Sequence, residues 1–142
     1  GIFSFWIYSW LRKNPVKYVG FNGSGKQVRD AIHPIDICNV MNKQIHDRTI
    51  ETDPIYNLGG GFHNSMSLKE LTEWCYININ DDDSHITESK EVRKFDIPVY
   101  ITNYDKAKKR WGFKPTYKMD DILSEIRDYA INNKSFMEYI HD

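Results

Sequence analysis

Cysteine is scarce: Cys38 and Cys75 are the 2 in 142 residues, and they stand in no Cys-x-x-Cys spacing. That argues against a disulfide framework or a zinc knuckle, and both thiols are expected to pack as small core hydrophobes. A charge excess is lacking as well. With 19 basic against 20 acidic side chains the formal net charge is -1, which argues against a nucleic-acid binder driven by counterion release but leaves room for a local basic pocket and a small anion. There is no long apolar run. The longest, Gly1 to Leu11, is interrupted by Ser4 and Ser9 and closed by Arg12 and Lys13, too short to span a bilayer. No basic stretch precedes it and no small-residue cleavage site follows, so a cytoplasmic location is expected. The chain also opens without methionine, on Gly1-Ile2-Phe3, and is expected to be a piece of a longer one.

Metal-ligand spacing is missing too. His33, His46, His63, His85 and His141 never fall at i, i+3 or i+4, and Asp81-Asp82-Asp83 lacks the glycine turn and distal Glu of a calcium loop, so no metal is expected. What remains is 40% hydrophobic and 27% charged, the composition of one soluble globular domain.

Phe3, Trp6, Ile7, Trp10 and Leu11 share one face of a helix that should end near Asn14-Pro15. Val16 to Phe21 and Gln27 to Ile32 alternate like strands around the turn formers Asn22-Gly23-Ser24-Gly25, which predicts a hairpin. A helix follows from about Ile35 to Ile45, with Asp36 placed to cap its first turn. Ile55 to Leu58 reads as a strand broken by Gly59-Gly60-Gly61, and Ser67-x-x-Glu70 as a capping box before Leu68, Leu71, Thr72 and Cys75. Asn78 to Glu91 reads as a polar loop. Pro98 to Thr102 gives another strand, Asn103 a cap, Gly112 a stop, and Ile122, Leu123, Ile126, Tyr129 and Ala130 the face of a last helix. Strands alternating with helices predict an α/β fold with a parallel sheet.

Three strings look like chemistry. Gly20-Phe21-Asn22-Gly23-Ser24-Gly25-Lys26-Gln27 resembles a phosphate-binding loop, but Gln27 stands where a hydroxyl is needed and a strand, not a helix, should follow. Gly59-x-Gly61-x-x-Asn64 approximates a dinucleotide fingerprint, with Asn64 in place of the third glycine. Tyr104-x-x-x-Lys108 has the spacing of a phenol activated by an ammonium, yet nine tyrosines and the lysines present give roughly 0.8 matches by chance. Arg29 differs: on a rigid strand its guanidinium can offer a two-pronged fork to a phosphate or carboxylate, the alternative being a surface ion pair with Asp30 or Asp36.

The segments Gly25-Lys26-Gln27-Val28-Arg29-Asp30-Ala31-Ile32-His33-Pro34-Ile35-Asp36, then Ile55 to Gly61 with Asn64-Ser65-Met66-Ser67-Leu68, then Asp96 to Ile101 ahead of Lys106-Ala107, resemble in order and spacing the carboxy-terminal half of the extended short-chain dehydrogenase/reductase family. These are the NAD-dependent epimerases and dehydratases of nucleotide sugars. The GKQVRD string, the triple glycine and NSMSL are most similar to the CDP-paratose 2-epimerase group. The resemblance implies that residues 1–142 form an incomplete Rossmann-like fold: a substrate-binding lobe plus the last strands and helices of the parallel sheet. It implies a substrate that is a nucleotide diphosphate sugar, bound through its diphosphate by Arg29 and Arg93, with Tyr18, Phe21 and Gln27 near the nucleotide. The family's NAD fingerprint, its catalytic Ser/Thr and its Tyr-x-x-x-Lys belong to an amino-terminal portion that this sequence lacks. Hence no catalytic and no cofactor-binding residue is assigned, NAD is expected in the full-length parent only, and the segment alone is expected to be inactive. The missing NAD-binding portion and a second copy of the chain are the expected protein partners, without nucleic acid or membrane. A non-catalytic binding or assembly module on the same scaffold is the alternative.

Overall fold

The computed structural model describes residues 1–49, 55–89, 91 and 95–133. In chain order it contains α1 (Ile2–Arg12), β1 (Val16–Tyr18), β2 (Val28–Asp30), α2 (Pro34–His46), β3 (Ser65–Ser67), α3 (Leu68–Asn78), β4 (Ile86–Glu88), β5 (Val99–Tyr100), α4 (Asp105–Trp111) and α5 (Met119–Asn132). One sheet has strand order β3-β2-β5 and a second pairs β1 with β4. The α/β expectation holds. The chain divides into two compact units, one formed by Gly1–Val28, Met66–Val99 and the chain from Leu123, the other by Arg29–Ser65 and Tyr100–Ile122.

The first unit is built on the aromatic face of α1. Trp6, Ile7 and Trp10 are almost completely buried, and each buried indole N–H finds an acceptor: Trp6 donates to Thr72 Oγ1 at 3.0 Å and Trp10 to Asn80 Oδ1 at 3.1 Å. Lys13 ends the helix in the left-handed conformation at φ 54°, as the stop signal near Asn14 requires. α3 starts on the expected capping box, with Ser67 accepting from the Glu70 N–H and Glu70 reaching back to Ser67.

The predicted hairpin does not form. β1 pairs in parallel with β4, Val16 opposite Ile86 and Tyr18 opposite Glu88, while β2 lies in the other sheet. The physical reason is in the turn: Gly20, Phe21, Asn22, Gly23 and Gly25 all take positive φ, which coils the chain where a hairpin needs only two such residues. The same pairing overturns the reading of Asn78 to Glu91 as loop throughout, because Ile86-Thr87-Glu88 is a strand too short to show a period.

In the second unit Val40, Ala107 and Phe113 form a buried cluster, with Ile32, Tyr56, Leu58, Tyr104 and Trp111 packed against it. α2 is capped by His33, whose Nδ1 accepts from the Ile35 N–H at 3.2 Å. Asp36 is therefore not the cap it was expected to be; it is buried at 2% exposure and bonds elsewhere. Cys38 is exposed on α2 and only Cys75 is a core thiol, which corrects half of the cysteine expectation. Ile55 to Leu58 forms no strand: its apolar character is spent on packing Tyr56 and Leu58 into the cluster, without a ladder. Gly112 closes α4 at φ 63° as expected.

Candidate functional site

The loop from Gly20 to Gln27 joins β1 to β2 and carries two of the five expected site residues, Phe21 and Gln27, while Tyr18 is the last residue of β1. It is held by its own backbone, Gly23 N–H to Gly20 O at 2.9 Å and Ser24 N–H to Phe21 O at 3.3 Å, and by the Lys69 N–H, which donates to Gly25 O at 2.8 Å. Phe21 adopts φ 46°, an uncommon conformation for a bulky residue, and the residue is 43% exposed. Gln27 points inward. Its Nε2 donates to Val19 O at 2.7 Å and to Asp96 Oδ2 at 3.0 Å, while its Oε1 is buried without a partner among the described residues.

Tyr18 supports this loop from below. Its ring stacks on Trp6 with centroids 5.4 Å apart and planes 12° from parallel, its edge meets Gly25, and its hydroxyl donates to Thr72 Oγ1 at 2.5 Å. Burial raises the Tyr18 pKa above the ordinary phenol value, so the hydroxyl stays protonated.

The phosphate-loop likeness ends here. A Cβ on Gly20 would lie 2.1 Å from Asp96 Oδ2, so a carboxylate occupies the concave side of the loop, and β2 follows where a phosphate site needs a helix amino end. The triple-glycine turn is closed in the same sense. Cβ atoms on Gly59, Gly60 and Gly61 would meet Thr102 at 2.3 Å, Ala31 O at 1.9 Å and the Tyr104 ring at 2.5 Å. Protein atoms lie where a side chain at any of these three positions would point. The glycines serve close packing instead. Tyr104 is likewise engaged in packing, edge-on to Phe113 with centroids 5.3 Å apart.

Arg29 stands half-buried on β2 in the second unit. The two acids weighed as its ion-pair partners have other bonds. Asp30 accepts from the Gly61 N–H at 3.0 Å and from Thr102 Oγ1 at 3.2 Å, and Asp36 accepts from the N–H groups of Thr116 and Tyr117 at 3.0 and 3.4 Å. Arg93 lies outside the described residues. Phe21 and Gln27 on the loop and Tyr18 at the end of β1 thus come together in the first unit. Asp96, Thr72, Asp36 and Asn64 were not singled out as functional from sequence. Their partners lie far along the chain; Asp36, Asn64 and Asp96 fall inside strings quoted for the family resemblance, and Thr72 does not.

Among the described residues no helix is long and apolar enough to cross a membrane, and no group of three His, Cys, Asp or Glu could hold a metal. No protein-family model matches the chain. The fold is that of the carboxy-terminal part of Rossmann-type nucleotide-sugar epimerases and dehydratases. It is similar to the Bacillus anthracis dTDP-glucose 4,6-dehydratase in complex with NAD, at TM-score 0.75 and 20% identity over 95% of this chain and 40% of that one. It is similar as well to the Thermotoga maritima UDP-glucose 4-epimerase with UDP-glucose, at TM-score 0.72 and 20% identity over 94% and 40%.

Two curated relatives agree in sequence. The chain is 28% identical over 111 residues to the CDP-paratose 2-epimerase of Salmonella typhi, covering 77% of this chain and 32% of that protein. It is 25% identical over 137 residues to the UDP-glucose 4-epimerase of Mycoplasma genitalium, covering 89% and 38%. The chain therefore spans 32% to 40% of the length of these relatives, and its resemblance to NAD-dependent nucleotide-sugar epimerases and dehydratases stands.

Proposed function

We propose that the chain is the nucleotide-sugar binding portion of an NAD-dependent epimerase or dehydratase acting on a nucleotide diphosphate hexose, with CDP-sugar 2-epimerisation as the particular activity. The observation that carries this reading is that both curated relatives, matched over most of the chain, are named as nucleotide-sugar epimerases. In this reading Arg29 and Arg93 hold the diphosphate, each offering parallel N–H donors to an anion. Phe21, presented at the loop surface, supplies a face for the base. Gln27 and Tyr18 complete the nucleotide side of the site, Gln27 by its amide and Tyr18 by fixing Gly25 beneath the loop. NAD, the hydride acceptor and donor of such enzymes, belongs to the remainder of the fold. The residues of this chain bind and orient the substrate.

Calorimetric titration of the chain with UDP-glucose and with CDP tests the assignment. Saturable binding is expected, weakened about tenfold or more by Arg29→Ala or Arg93→Ala, partly retained in Arg29→Lys, and declining with salt. Unchanged affinity in both alanine variants would reject the arginine pair.

A further inference from the structure

The second unit contains a cleft of about 530 Å³ bordered by Gly60, His63, Asn64, Tyr104 and the segment 114–120. That segment has no regular structure as far as Lys118, yet two buried polar side chains fix it. Asp36, 2% exposed, accepts from the N–H groups of Thr116 at 3.0 Å and Tyr117 at 3.4 Å, and the Thr116 hydroxyl donates to its second oxygen. Asn64, 4% exposed, donates to Tyr117 O at 2.6 Å and accepts from the Met119 N–H at 3.0 Å. Burying a carboxylate and an amide is costly unless every bond is made. Here they are spent on holding one irregular wall in a single conformation, which is what preorganisation of a binding site requires.

The border of this cleft is cationic. Lys114 and Lys118 both line it, and neither ammonium has a hydrogen bond or ion pair among the described residues. His63 and Tyr104 add an imidazole and a phenol. One carboxylate, Asp120, also borders it. Asp121 is engaged by the Lys118 N–H at 2.9 Å. Two donors at the start of α5 are already used, Lys118 N–H by Asp121 and Met119 N–H by Asn64, so the side-chain cations are the charge partners the cleft offers to an anion. A volume of this size suits a small metabolite better than a bare ion.

We propose that this cleft binds a phosphate-bearing small molecule, with Lys114 and Lys118 as its charge partners and His63 and Tyr104 as hydrogen-bonding groups. The site is separate from the nucleotide-sugar assignment, since none of Tyr18, Phe21, Gln27, Arg29 and Arg93 borders it.

The test is NMR titration of the chain with inorganic phosphate and with glucose 1-phosphate, followed at the Asn64 side-chain amide and the Thr116, Lys118 and Met119 backbone amides. Saturable shifts at these groups are expected, weakened about tenfold or more in the Lys114→Gln/Lys118→Gln double variant and unchanged in Lys109→Gln, a lysine outside the cleft. Tighter glucose 1-phosphate supports a sugar phosphate as the ligand; equal affinity supports free phosphate. Shifts that do not saturate, or that persist in the double variant, would overturn the proposal. Loss of the cleft shifts in Arg29→Ala would also overturn it, by placing the anion at the other site.

Discussion

One hydroxyl oxygen, Thr72 Oγ1, ties three elements of the first unit together. It accepts from Trp6 Nε1 at 3.0 Å and from the Tyr18 hydroxyl at 2.5 Å, and it donates to Leu68 O at 3.0 Å, which exhausts a hydroxyl's capacity of one donor and two lone pairs. Three residues further along α3, Cys75 shows the other outcome of burial. Its thiol is fully covered, and desolvation pushes its pKa up to about 12, whereas Cys38 is exposed. Only a thiolate attacks readily. A maleimide or disulfide reagent at neutral pH is therefore expected to modify Cys38 alone in the folded chain, with Cys75 reacting only once denaturant is added. Mass spectrometry of the peptides checks this, and equal labelling of both under native conditions would contradict the described packing. Sequence placed both cysteines in the core for a sound reason, their small apolar side chains. The exposure of Cys38 was not legible, because it depends on which face of α2 the second cluster covers, and that face is chosen by Val40, which packs with Ala107 and Phe113, and by Asp36, whose partners Thr116 and Tyr117 lie 80 and 81 positions away.

At the scale of elements, helices were easier to read than strands. α1, α2, α3 and α5 lie close to where apolar spacing, a capping box and stop residues put them, since those signals are local. The strands are two or three residues long, shorter than any alternation can establish, and β1 finds β4 rather than the neighbour a hairpin would give it. The site was legible in the same uneven way: the loop sequence was picked out, but not Asp96, which closes it from another segment. The capping box of α3 offers a quantitative check. Ser67→Ala removes the acceptor for the Glu70 N–H and the hydroxyl that bonds Glu70, and is expected to lower stability by about 1 kcal/mol in urea denaturation. The Ser67 backbone N–H, followed by its hydroxyl, holds the Glu70 pKa below the ordinary carboxylate value. A carboxyl depressed in the folded state adds stability above its unfolded pKa and loses it as pH falls through the folded one. The Ser67→Ala deficit should accordingly be constant near neutrality and shrink as the pH is taken below about 4. A deficit that does not vary with acid would remove Glu70 from the account of this helix start.

At the scale of the whole chain, the apolar side chains left in water decide what it does in solution. In the second unit Ile45, Ile55 and Phe62 are each at least three-quarters exposed, and Met41 and Ile35 about half. Ile35, Cys38, Met41 and Ile45 fall on one outer face of α2, opposite Val40. Ile55 to Leu58 has strand composition but joins no ladder. Isolated exposed hydrophobes need no explanation, whereas a stripe along a helix combined with a strand-like segment that belongs to no sheet is what drives association. The solved relatives are chains of which this one covers about two fifths, so their fold includes much that could cover such a face. The chain by itself is expected to self-associate, its light-scattering mass rising above the monomer value with concentration. Met41→Lys combined with Ile45→Lys should return it toward a monomer without loss of helicity, because both side chains already face water and removing them leaves the Val40, Ala107 and Phe113 cluster intact. A wild-type chain that stays monodisperse at monomer mass up to high concentration would show that this face is tolerated in water, and would leave a second copy of the chain without a surface to bind.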